Sequence, residues 1–87
     1  MLDMIDTGHV DHKLLAVPAN DPRFSAISEV EQVFPHVRRE VEHFFTIYKE
    51  LESGGMSMEG WHDREAALAT LRRSRETYLN STAETPA

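Results

Sequence analysis

Apolar and polar positions alternate, cluster and lapse along the chain in a way that separates it into distinct short stretches. Residues 1–5, Met1-Leu2-Asp3-Met4-Ile5, begin on a short alternation that suits a strand. Asp6 to Asp11 is polar and holds a glycine, so a turn is expected there, followed by the unbroken apolar run Leu14-Leu15-Ala16-Val17 closed by Pro18. Four apolar residues ended by proline are too few for a helix, and the run predicts a strand buried on both faces. From Pro18 to Val33 the pattern is that of a loop. Asn20-Asp21-Pro22 supplies turn chemistry, Phe24 and Ile27 are expected to pin the loop to the body, and Ser28 with Glu31 suits the capping of one helical turn.

Helical spacing begins at Pro35, which suits a first helical position. Val37, Val41, Phe44, Phe45, Tyr48 and Leu51 form one stripe, Arg38, Arg39, Glu42 and Glu52 point mostly away from it, and Gly54-Gly55 ends it, which predicts a helix over 35–52. Met56-Ser57-Met58-Glu59 alternates as a brief strand before Gly60-Trp61. Asp63 then caps a second helix over 63–79, with Glu65 in its first turn and a packing face of Ala66, Ala67, Leu68, Leu71 and Tyr78. Arg72, Arg73 and Arg75 are expected near its C-terminal half, where cations are favoured. Residues 80–87 are small and polar and are expected to form a disordered tail. The sum is one α+β domain over 1–79, with two or three short strands and two packed helices.

Composition narrows the chemistry. The chain has 87 residues and no cysteine, which removes disulfides and thiolate metal sites. A chain of this size buries only about 60–65% of its unfolded surface. No apolar run approaches a membrane span and no signal-peptide pattern precedes Asp6, so a cytoplasmic address is expected. A formal net charge of −6 argues against a nucleic-acid partner. A small anionic substrate then requires metal ions or local lysines to reverse the sign. Asp6, Asp11 and Lys13 are candidates for such a site, since carboxylates and an ammonium at the end of a strand can hold a metal beside an anion. A solvated hairpin with ordinary surface charges is the alternative on this stretch alone.

Other motifs carry less. Asp6-Thr7-Gly8 spells the triplet of retroviral-type aspartic proteases, but those enzymes are β-rich dimers sharing one proton between two aspartates. Glu40 and His43 have the spacing of di-iron bundles, which need four helices. His9 and His12 beside Asp11 lack a second ligand pair at zinc-like spacing.

The order Asp6-x4-Asp11-x-Lys13-Leu-Leu-Ala-Val-Pro18, Asp21-Pro22-Arg23-Phe24, His43-Phe44-Phe45-x-x-Tyr48-Lys49-x-Leu51-Glu52 and Glu59-Gly60-Trp61 with Glu65-Ala66 resembles the C-terminal half of a soluble family I inorganic pyrophosphatase. The resemblance implies a partial OB-like barrel with helices packed on it, and a hydrolase that uses Mg²⁺ to split diphosphate into two phosphates. It implies Asp6 and Asp11 as catalytic metal-binding carboxylates, and Lys13, Tyr48 and Lys49 as contacts to the phosphates. It also implies an oligomer, with His43 near a subunit contact. The family's Asp-x-Asp-Pro-x-Asp motif does not occur in these residues, nor do its further glutamates, arginine, lysine and tyrosine. Thr7-Gly8-His9-Val10 stands where relatives are acidic, and Ser53-Gly54-Gly55 where they are lysine-rich. The isolated chain is therefore expected to be inactive. Its partners are diphosphate or phosphate, a homo-oligomer or a missing N-terminal half, and no nucleic acid or membrane. A non-catalytic interaction module or a gene fragment derived from a pyrophosphatase is the alternative, and a misplaced start codon would put the missing motif in frame upstream of Met1.

Overall fold

The computed structural model describes residues 1–52 and 55–84. Its elements are β1 (Leu2–Asp6), β2 (His9–Lys13), a single 3-10 turn at Val30–Gln32, α1 (Pro35–Glu50), β3 (Met56–Trp61) and α2 (Arg64–Glu84). The strands form one antiparallel sheet in the order β2-β1-β3. The architecture is α+β, an open sheet with two helices consistent with part of a barrel.

The hairpin is tighter than the sequence suggests. Only Thr7 and Gly8 connect β1 to β2, with φ of 50° and 83°. Two central residues at positive φ match the right-handed twist of the flanking strands, as primed hairpin turns do. Thr7 Oγ1 donates to the Asp6 carbonyl at 2.7 Å and Thr7 N–H donates to the Gly55 carbonyl at 2.8 Å, which ties the turn to the start of β3. The two-residue loop sets the register, so Asp6 faces His9, Met4 faces Asp11 and Leu2 faces Lys13. Asp11 consequently lies in a strand, not in the turn.

The expected Leu14–Val17 strand does not form. Those residues have no regular structure, and Leu14 and Leu15 are 45% and 42% exposed. The sheet among the described residues ends at β2, so nothing pairs with the run on either side. Leu2 and Met4 of the central strand are wholly buried instead. β3 runs on through Trp61, and His62 and Met1 extend the pairing by N–H donations to each other's carbonyls at 2.7 and 3.1 Å.

The α1 stripe divides in two. Val37, Val41 and Phe45 turn inward together with Arg38 and Glu42, which were expected to point away. Phe44, Tyr48 and Leu51 stay exposed, Leu51 by 84%. The helix stops at Glu50 with Leu51 as its cap, and Gly54 lies outside the described residues. Phe24 and Ile27 are half-buried as expected. The Val30–Gln32 turn is capped by Gln32, whose Oε1 accepts from the backbone N–H of Ser28 and Glu29 at 2.7 and 2.9 Å, not by the Ser28–Glu31 pair. Asp63 caps α2, accepting from Ala66 N–H at 2.9 Å. The helix continues to Glu84, through the first five residues of the expected tail, which leaves Arg72, Arg73 and Arg75 in its middle; residues 85–87 lie outside the description.

Candidate phosphate and metal site

Side chains alternate across a strand, so the register gathers Asp6, Asp11 and Lys13 on the sheet face that carries Leu2 and Met4. Helix α1 crosses this same face. Trp61 Nε1 donates to Glu42 Oε1 at 2.9 Å and pins the middle of α1 to β3. One turn on, the Phe45 ring lies 4.9 Å from Lys13 Nζ, and a further turn on, Lys49 Nζ meets Asp6 Oδ2 at 2.5 Å. The helix therefore delivers Lys49 to the hairpin end of the sheet and an aromatic face to Lys13.

Three ion pairs result. Lys49 bridges Asp6 and Glu52, the latter at 3.1 Å, while Lys13 pairs with Asp11 at 3.0 Å. The Lys49 side chain is 16% exposed and that of Asp6 24%, so their pair is shielded from solvent more than an ordinary surface bridge. Asp6, then Glu52, holds the Lys49 ammonium above the usual lysine range. Asp6 and Asp11 are diagonal neighbours across the hairpin, a separation of ~7–8 Å between Cα atoms. That brings both carboxylates within reach of a shared small cation.

Four of the five sequence-predicted residues thus converge in pairs. Tyr48 sits at the rim, 48% exposed, its ring stacked on Phe44 at 6.0 Å and 5.5 Å from Lys49 Nζ. Sequence reasoning did not single out Glu52 or Phe45 as partners of the two lysines. For Glu52 the three-residue offset from Lys49 was a usable signal, whereas Phe45 and Lys13 meet only through the tertiary fold. Among the described residues no three His, Cys, Asp or Glu side chains gather at one metal position. Two carboxylates nonetheless suit Mg²⁺, which is commonly held by one or two carboxylates, waters and substrate phosphates.

A family profile described as inorganic pyrophosphatase matches residues 1–79. The inorganic pyrophosphatase of Methanosarcina mazei is 41% identical over 78 residues, which cover 90% of this chain and 46% of that protein. The Methanosarcina acetivorans protein of the same name is 42% identical over 79 residues, 91% of this chain and 47% of its own length. A Nostoc inorganic pyrophosphatase is 39% identical over 77 residues, 88% of this chain and 46% of its length. The chain belongs to the inorganic pyrophosphatase family. It corresponds to a C-terminal half, and spans about half the length of the curated relatives it matches.

Proposed function

We propose that the chain supplies one half of a Mg²⁺-dependent inorganic diphosphatase site, in which diphosphate is hydrolysed to two phosphates. The observation that carries this reading is the pairing of Lys49 with Asp6 and of Lys13 with Asp11 on one sheet face. Asp6 and Asp11 would hold the metal, which when bound offsets phosphate charge and makes water a nucleophile near neutral pH. Lys49 and Lys13, which pair with those carboxylates in this structure, would be the groups that meet phosphate oxygens, with the Tyr48 hydroxyl at the rim as a further donor to the same anion. Phe45 holds Lys13 over an aromatic face.

Two carboxylates and two lysines are a fraction of the charge that phosphoryl transfer calls for. The 87-residue chain alone is therefore expected to release no phosphate from diphosphate. Mg²⁺-dependent turnover by the purified chain, abolished in Asp11→Ala, would overturn that statement and mean that copies of the chain assemble a working site.

A second reading, a non-catalytic interaction module, draws support from the surface. The accessible area is 6814 Å², whereas a compact protein of this mass exposes about 5,200 Å². The radius of gyration is 15.5 Å, against about 12 Å for a compact chain of this length. Leu14, Leu15, Ala16 and Val17 line open apolar hollows with Ile27 and Val33. On either reading the chain is completed by a partner, either a second copy or the other half of the family domain. Sedimentation of a monodisperse monomer that melts cooperatively would count against this.

A further inference from the structure

The sheet face opposite the lysine–aspartate pairs carries a second polar assembly, which stands apart from the proposed diphosphatase site. Asp3 and His12 face each other across β1 and β2, and His12 Nδ1 lies 2.6 Å from Asp3 Oδ1. The second Asp3 oxygen lies 3.2 Å from His62 Nε2. A carboxylate only accepts, so Nδ1 of His12 carries the hydrogen in this contact and Nε2 is left for another partner.

Helix α2 passes His12 and closes an open cleft of about 440 Å³, lined by His12, Thr70, Arg73, Ser74 and Thr77. Among the described residues the lining holds no acidic side chain. Thr70 is 5% exposed, and its Oγ1 accepts from Arg73 Nη2 at 3.2 Å, which fixes the guanidinium against the cleft wall. Arg72 and Arg75 flank it, so three of the chain's nine lysines and arginines fall within four residues. A chain of net charge −6 is locally basic here.

From this placement we infer that the cleft between β2 and α2 binds a small phosphate-class oxyanion. The guanidinium fork of Arg73 and the hydroxyls of Thr70, Ser74 and Thr77 match the several lone pairs of a tetrahedral anion.

The test is a titration of the ¹⁵N-labelled full chain with inorganic phosphate, without Mg²⁺ and at constant ionic strength, followed by amide chemical shifts. The cleft predicts saturable shifts at His12, Thr70, Arg73, Ser74 and Thr77 with millimolar affinity. Arg73→Gln weakens them about tenfold, the loss of one charge-assisted contact. Arg72→Gln, outside the lining, and Lys49→Gln, on the other sheet face, leave them nearly unchanged. Shifts confined to the Lys13 and Lys49 face, a non-saturating drift, no shift at all, or equal losses in Arg72→Gln and Arg73→Gln would each overturn the inference.

Discussion

Trp61 and Glu42 are nineteen residues apart, and their hydrogen bond is the side-chain contact that fastens α1 to the sheet near its middle. Replacing Trp61 by Phe keeps an aromatic ring and removes the N–H. The acceptor is an ionised carboxylate, and hydrogen bonds to charged groups contribute about 1.5–3 kcal/mol. Both partners are half-buried, which places the cost at the lower end, about 1.5–2 kcal/mol. For a domain of this size each kcal/mol corresponds to about 4–8 °C, so Tm should fall by about 6–16 °C. Glu42→Gln retains an acceptor oxygen without the charge and should cost roughly half as much. Urea and thermal melts of the two single variants and the double variant would measure the coupling between the residues, expected above about 0.5 kcal/mol. Costs that simply add, or a Trp61→Phe loss below about 0.5 kcal/mol, would show that α1 is held by something else.

Three further outcomes follow from the geometry. Thr7 occupies a left-handed conformation that a β-branched residue adopts at a cost, so Thr7→Asn should raise stability by roughly 0.5–1 kcal/mol in urea melts, while a loss would argue against the two-residue turn. Leu2→Ala, at a wholly buried position, should cost ~2–5 kcal/mol in urea melts, whereas Leu14→Ala should cost about 1 kcal/mol or less; equal costs would mean that the apolar run is packed after all. The Lys49 ammonium is held above its ordinary range by Asp6 and then Glu52, so its stabilising contribution is full below the usual lysine pKa of ~10.4 and fades as pH rises beyond it. Denaturant melts taken from neutral to strongly alkaline pH should show a steeper alkaline loss in the native chain than in Lys49→Met, and parallel curves would refute the pairing.

Helix α1 was legible because Pro35 and a 3.6-residue recurrence announce it, and the Asp63 cap because a side-chain oxygen three residues before Ala66 is a local arrangement. The β2 strand was not. His9-Val10-Asp11-His12-Lys13 offers a single apolar residue, and its place in the sheet comes from the Thr7–Gly8 turn and not from burial. The neighbouring Leu14–Val17 run carries the stronger pattern, yet burial needs a second surface and none of the described elements pairs with it. The site divides in the same way. Asp6, Asp11 and Lys13 were readable from spacing on one hairpin, and Lys49 from the resemblance to the family. The matching of each lysine to its aspartate, the Phe45 ring beside Lys13 and the Asp3–His12–His62 cluster depend on register and long-range contacts that spacing alone does not encode.

On the proposed function, one face of this half-domain accepts diphosphate together with a divalent cation. Calorimetric titration of diphosphate into the purified chain, with and without Mg²⁺, tests it most directly. Saturable binding is expected that requires Mg²⁺, weakens in both Asp11→Asn and Lys49→Gln, and proceeds without phosphate release. Binding that is absent, that ignores Mg²⁺, or that survives both substitutions would contradict it.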